Sequence, residues 1–205
     1  MYPIIKRICD FLSSSILLVA ILPIMIILAI IVRINLGSPI FFTQERTGKN
    51  QRVFNLIKFR TMTNATDSEG NLLPDRDRLT KFGKFLRSTS LDELPELINI
   101  IKGDMSVIGP RPLPTKYNSY YKQHEYDRFN VRAGLITPDS IDKRPIISWD
   151  EQFKYEADYA NNMCLWLDIK IIFGVIRILF KRSTSNYGSY ERGPLNIERQ
   201  PEPKK

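Results

Sequence analysis

Two cysteines, Cys9 and Cys164, and one histidine, His124, are all that this 205-residue chain holds of the residues most used to bind zinc or to activate a nucleophile. That scarcity excludes a disulfide framework and a zinc-type ligand cluster, and it fits a reducing compartment. Triads built on histidine are nearly excluded, so any chemistry must fall to carboxylates, lysines, arginines or a hydroxyl. Internal repeats, a P-loop and a GxGxxG turn are also missing. No small-residue cleavage site follows the N-terminal apolar run, which argues against a removable signal peptide.

Positive charge and one long apolar stretch are what the chain has in excess. Its formal net charge is +8 and its pI is about 9.5, a balance that calls for an anionic partner such as phosphate, nucleic acid or a lipid surface. The length supports one domain with an appendage. Phe11 to Val32 is almost wholly apolar and carries no charge, long enough for a bilayer core that needs about 20 residues. Pro23 in its middle removes a helical hydrogen bond. Lys6 and Arg7 precede the run, and Arg33, Arg46, Lys49 and Arg52 follow it, which favours both ends on one side of the membrane. A re-entrant helix bent near Pro23 satisfies both observations; a straight span stands beside it as an even alternative. A nucleic-acid binder would suit the charge but not the membrane-length run.

After the turn residues Gly37-Ser38-Pro39, the segments 40–44 and 52–60 read as two strands of a hairpin. The polar stretch 64–78 reads as a mobile loop, and 79–86 as a short basic helix. Leu91, Leu94, Leu97, Ile98 and Ile101 then recur at helical spacing. Ser90 with Glu93 has the form of a capping box, which would put Asp92 and Glu93 in the first helical turn. Acids there commonly serve only as caps and dipole partners. Lys81, Lys84, Arg87, Lys102 and Arg111 crowd around them, and a carboxylate pair in a basic field can bring a divalent cation and a phosphate together. Segment 103–112 reads as a loop whose Arg111 is held between two prolines. It suits bidentate phosphate recognition as well as it suits a surface arginine in a stiff turn. Segment 114–128 is tyrosine-rich and reads as helical, 131–148 as irregular, and 149–161 as an acidic helix. Cys164 to Arg182 is apolar but interrupted by Asp168, Lys170 and Arg177, and reads either as an interfacial amphipathic helix or as a core helix.

Taken together, these marks resemble a known family. They are Lys6-Arg7-x-x-Asp10, Gly37-Ser38-Pro39-Ile40-Phe41-Phe42, Gln44-Glu45-Arg46-x-Gly48 and Lys58-Phe59-Arg60-Thr61-Met62. Leu86-Arg87-x-x-Ser90-Leu91-Asp92-Glu93-Leu94-Pro95 and Gly103-Asp104-Met105-Ser106-x-Ile108-Gly109-Pro110-Arg111-Pro112 complete them. The chain is similar, from about Lys6 to Arg182, to the bacterial sugar transferases, the catalytic unit of the small monotopic phosphoglycosyl transferases. The resemblance implies transfer of a sugar-1-phosphate from a UDP-sugar to undecaprenyl phosphate with release of UMP. It implies a covalent aspartyl-phosphosugar intermediate and dependence on Mg²⁺. Carried over by position, Asp92 would be the nucleophile and Glu93 would help hold the metal, while Lys58, Arg87, Arg111 and Arg144 would meet the substrate. Two departures stand out. Leu22 occupies the place before Pro23 where the family often has serine, and Ala133 stands where it usually has proline. The second leaves the choice of donor sugar open.

The expected fold is α+β: a re-entrant membrane helix over 1–36, then a catalytic domain over 37–182 with a small β-hairpin and interfacial amphipathic helices. A polar, flexible tail over 183–205 completes it. The implied location is the cytoplasmic face of the bacterial inner membrane, with inner-membrane lipids as partners, no nucleic acid, and homo-oligomerisation left open. The alternative is a non-catalytic basic monotopic membrane protein, which explains the anchor and the charge but not Asp92-Glu93 beside Pro110-Arg111-Pro112.

Overall fold

The computed structural model describes residues 1–142, 148–182 and 193–201, with 179–182 described by backbone alone. It is a mixed structure of helices and two small sheets. The first element is α1, Tyr2–Leu36, a single helix with Pro3 in its first turn and Pro23 within it, ended by Gly37 at φ 75°. By length and composition α1 can cross a membrane. One stripe of it is covered by the rest of the chain: Lys6, Asp10, Ser14, Met25, Leu28, Val32 and Leu36 are buried, and Leu18 and Ile21 pack on the core between them. The spacing of three and four is that of one helical face. The other faces leave Ile4, Phe11, Ile16, Val19, Ile26 and Ile34 exposed.

The Lys6-Arg7-x-x-Asp10 motif is a clamp. Lys6 Nζ lies 2.8 Å from Asp168 Oδ2, and Asp10 accepts from Ser106 Oγ at 2.6 Å and from the Val107 N–H at 3.2 Å. Arg7 donates to the carbonyls of Ile100 and Ile101 at 2.6 and 2.8 Å. Those carbonyls belong to the last turn of a helix, where the Ile100 carbonyl also accepts from the Gly103 N–H at 3.0 Å.

The expected hairpin is present. Strands β1 (Phe41–Thr47) and β2 (Val53–Phe59) pair antiparallel, with Phe42 opposite Lys58 and Gln44 opposite Leu56. A short helix α2 (Asp75–Arg78) follows inside the stretch read as a loop, and then α3 (Lys81–Ser88), whose first turn is capped by Thr80 accepting from Gly83 N–H at 3.0 Å. A side chain at Gly83 would put Cβ 1.8 Å from the Thr61 carbonyl oxygen, so α3 lies directly on the backbone that leaves β2. Helix α4 is Glu96–Lys102 and ends at Gly103, φ 94°.

A second sheet is absent from the sequence reading. Strands β3 (Met105–Ile108) and β4 (Ala133–Ile136) pair in parallel within the segments read as loop and irregular. The tyrosine-rich region between them forms two 3₁₀ segments, Thr115–Tyr120 and Gln123–Asn130. Helix α5 (Trp149–Asn162) and helix α6 (Leu165–Arg182) follow. Along α6, Asp168 and Ile171 are buried while Trp166 and Phe173 are exposed, so it has both a core face and an open apolar face. The tail expected to be flexible falls partly outside the described residues, but 193–201 is docked. It includes α7 (Leu195–Glu198), whose Leu195 is fully buried with Leu113, Tyr117, Tyr121, Phe129 and Phe153.

Candidate active site

The acidic turn is built differently from its sequence expectation. Ser90 has left-handed backbone, φ 56°, and its side chain makes no capping bond. Leu91–Glu93 is a single 3₁₀ turn, and Pro95 takes the N-cap position of α4. The capping box is therefore corrected: the acids precede the α-helix rather than opening it. Proline at the head of α4 carries no N–H, and its φ of −64° already suits the helix that follows.

A cavity of about 730 Å³ opens over this turn. Asp92, Glu93, Lys58, Arg87 and Arg111 all line it, so five of the six residues singled out from the sequence meet around one space. The sixth, Arg144, lies outside the described residues. Strand alternation delivers one wall: Phe42, Gln44 and Arg46 of β1 share a face with Lys58, opposite Phe42 on β2. Arg87 reaches the rim from the last turn of α3, its Nε donating to Thr61 Oγ1 at 3.1 Å. The backbone of Arg111 is pinned twice. Its N–H donates to Glu156 Oε1 at 2.9 Å, and its carbonyl accepts from Arg128 Nη2 at 2.6 Å.

Lys58 Nζ lies 2.6 Å from Glu93 Oε1 and 3.1 Å from Glu96 Oε1. Asp92 is buried at the floor. Burial raises its pKa above the usual carboxylate range, Glu93 adds to the rise, and Lys58 and Arg87 oppose it. Glu96 is more enclosed still, and burial, against the pull of Lys58, pushes it up to about 7. Arg46 is half-buried, with Nη1 donating to the Pro112 carbonyl at 3.2 Å and Nη2 to Gln44 Oε1 at 2.6 Å. Its Nε has no hydrogen-bond partner among the described residues. Burial first, and then repulsion from Arg111, lower its pKa.

Sequence reasoning missed Glu96 and Arg46 as members of this site. Both signals were present. Glu96 is three residues beyond Glu93, which brings side chains to a common side of a helical turn. Arg46 is two residues from Gln44 and four from Phe42, the period of one strand face.

Mg²⁺ typically takes one or two carboxylates and completes its shell with water and substrate phosphates. Glu93, about a quarter exposed, offers such a carboxylate to the cavity, and the donor set fits that use. Among the described residues, no group of three or more His, Cys, Asp or Glu gathers as an all-protein cage.

The profile of the bacterial sugar transferases matches residues 1–182. The chain is 42% identical over 174 residues to the uncharacterized sugar transferase EpsL of Bacillus subtilis, an alignment covering 85% of this chain and 86% of that one. It is 34% identical over 180 residues to the UDP-glucose:undecaprenyl-phosphate glucose-1-phosphate transferase of Klebsiella pneumoniae, covering 83% of this chain and 39% of the relative. It is also 34% identical over 191 residues to the UDP-N-acetylgalactosamine-undecaprenyl-phosphate N-acetylgalactosaminephosphotransferase of Aeromonas hydrophila, covering 87% of this chain and 44% of that protein. The chain thus spans less than half the length of these two named transferases. With a family match that takes in both the clamp of α1 and every wall of the cavity, this chain belongs to the bacterial sugar transferase family.

Proposed function

We propose that this protein transfers a sugar-1-phosphate from a UDP-sugar to undecaprenyl phosphate, releasing UMP, by way of a phosphosugar held covalently on Asp92. The observation that carries the reading is the convergence of Lys58, Arg87, Arg111 and Arg46 on a cavity floored by the Asp92 carboxylate. A diphosphate is the ligand whose charge and geometry such a basic ring satisfies.

In the first step an Asp92 carboxylate oxygen attacks the phosphorus next to the sugar. The new O–P bond forms as the bond to the bridging oxygen breaks, and that electron pair leaves on UMP. In the second step an oxygen of undecaprenyl phosphate attacks the same phosphorus and the carboxylate is released. Splitting one displacement into two is the gain from covalent catalysis. Arg111, fixed by its two backbone anchors, holds a phosphate oxygen in place, and Arg46 and Arg87 offset charge on the leaving phosphate. Glu93 would hold Mg²⁺, which, when bound, neutralises the diphosphate and stabilises the leaving group.

Membrane attachment serves the second substrate. The exposed apolar faces of α1 and of α6, with Trp166, suit burial in one leaflet at the inner membrane's cytoplasmic face. The covered stripe along α1 supports a monotopic arrangement, because both ends of the helix are held by the same domain. Asp92 then meets an acceptor phosphate confined to the headgroup plane.

Replacing Asp92 with Asn is expected to cut UMP release by at least about a thousandfold while membrane association is retained. Intact mass of the wild type incubated with UDP-sugar alone should show the phosphosugar adduct. Undiminished UMP release by the Asp92→Asn variant removes Asp92 as nucleophile. Opposite-side exposure of tags on the two termini removes the monotopic arrangement.

A further inference from the structure

Glu96 carries no role in the reaction just described, yet it is an enclosed carboxylate just behind the cavity, in contact with Lys58 of the cavity wall. Its side chain is 4% exposed and shares the Lys58 ammonium with Glu93. We propose that Glu96 is a positioning residue: it is a second, buried anchor for Lys58 that lets the ammonium yield Glu93 to a divalent cation without leaving the site. This inference rests on the reading of Glu93 as the metal-bearing carboxylate.

The geometry supports an exchange. Lys58 occupies the carboxylate that a cation needs, so a cation arriving at Glu93 must displace the ammonium or sit beside a like charge. Lysine suits displacement, since it is a point charge on a flexible four-carbon stem whose donors can turn to a new acceptor. The scaffold under it does not flex in the same way. Asn99 staples β2 to α4, its Oδ1 accepting from Ile57 N–H at 3.0 Å and its Nδ2 donating to the Asn55 carbonyl at 2.8 Å. The backbones of Lys58 and Glu96 are therefore held in register, and the lysine side chain is the part free to pivot. Glu93 and Lys58 line both the cavity and a small space behind it, whereas Glu96 lines only the small space, with Arg46, Arg111 and Thr137. An ammonium that turns to Glu96 stays beside the diphosphate site and adds its charge to that of Arg111.

The test is a double-mutant cycle on metal binding, read by electron paramagnetic resonance of Mn²⁺ at about pH 8, where carboxylates are ionised, with the full-length protein in detergent and neither substrate present. With its charged second anchor gone, Lys58 in Glu96→Gln should cling to Glu93, and the Mn²⁺ dissociation constant should rise by about fivefold to tenfold. Lys58→Met should lower that constant, and Lys58→Gln serves if the first variant does not fold. In either lysine variant, adding Glu96→Gln should change the constant by less than about twofold. If the Glu96→Gln effect is the same size with and without Lys58, Glu96 acts through its own field and the proposal is overturned. No change in Glu96→Gln overturns it as well. A wild type that takes up no Mn²⁺ yet releases UMP overturns this inference and leaves the transferase reading intact. The expected cycle without UMP release from any UDP-sugar does the reverse.

Discussion

Two charged clusters lie on either side of Arg111, and they are built to opposite ends. Behind it, Arg128 and Glu156 form an ion pair whose side chains are 1% and 0% exposed. Each side-chain nitrogen and oxygen of the pair has a partner: Arg128 also reaches Tyr121 Oη and the Arg111 carbonyl, and Glu156 accepts from Arg111 N–H and Gln152 Nε2. The rings of Tyr121, Phe129 and Phe153 enclose the guanidinium at 5.0 to 5.3 Å. In front of it, Lys58 is divided between two glutamates, Arg46 has an Nε without a partner among the described residues, and the cavity admits solvent. A satisfied cluster fixes a backbone. An unsatisfied one retains capacity for a ligand. Under the proposed function the same residue types are framework on one side of Arg111 and reagent on the other, and the difference is how completely their hydrogen-bonding capacity is filled.

The largest effect that would break this contrast comes from the framework side. Arg128→Met leaves the Glu156 charge buried and unpaired, and it should cost about 3–5 kcal/mol of stability in urea unfolding in detergent. Lys58→Met takes the partner from the enclosed Glu96, but that carboxylate can take up a proton, so it should cost less, about 2 kcal/mol, and act on metal binding and turnover as well. Equal losses in the two variants would show that enclosure does not separate framework from reagent.

The next effect concerns pH. Glu96 has its pKa raised from 4.5 to about 7 by burial. The folded state therefore binds this proton more tightly than the unfolded chain does between those values. Stability from this group is fully present below pH 4.5, falls as pH rises through the window, and is level above about 7. The span corresponds to about 3 kcal/mol. Unfolding free energies of the wild type minus those of Glu96→Gln, measured without divalent cation from pH 5 to 8, should carry that downward slope. Asp92 titrates in both proteins and cancels in the difference. A flat difference would place Glu96 among ordinary, solvated carboxylates and remove the gradient of enclosure at the active turn.

How much of this was legible in the sequence follows from the range of the interactions. The hairpin and α1 were legible because period two and an uninterrupted apolar run are local signals. The bend expected at Pro23 is a different matter, since α1 is one continuous helix through that residue. The acidic turn was half legible. The S-x-x-E pattern is matched at Ser90 and Glu93, but Ser90 adopts φ 56° and Pro95 heads the helix, so local chemistry pointed to a cap that the backbone does not make. The β3–β4 pair was not legible. Its strands have four residues each, and a parallel partner lies a whole subdomain away. Its closeness depends on Gly134, where a Cβ would fall 2.0 Å from the Gly109 nitrogen. The Arg128–Glu156 core was hidden for a different reason: hydrophobic periodicity does not register charges that are buried together.

The smallest expected effect tests the docked tail, which lies beyond the family match. Arg199 donates to Glu125 through both Nη atoms at 2.8 Å, pairs with Asp150, and lies 5.1 Å over the Phe153 ring, on which Arg128 also sits. It is enclosed on one side only: Glu125 is 1% exposed, but Asp150 is 62% exposed. Arg199→Met leaves Glu125 the Lys122 N–H, which donates to it at 2.8 Å, so the carboxylate keeps one partner. The loss should be about 1–2 kcal/mol, between the exposed-pair and buried-pair limits. Part of it should disappear at high salt, because Asp150 meets solvent. A loss as large as that of Arg128→Met, insensitive to salt, would mean that the tail is as much a part of the Arg111 framework as the buried pair beneath it.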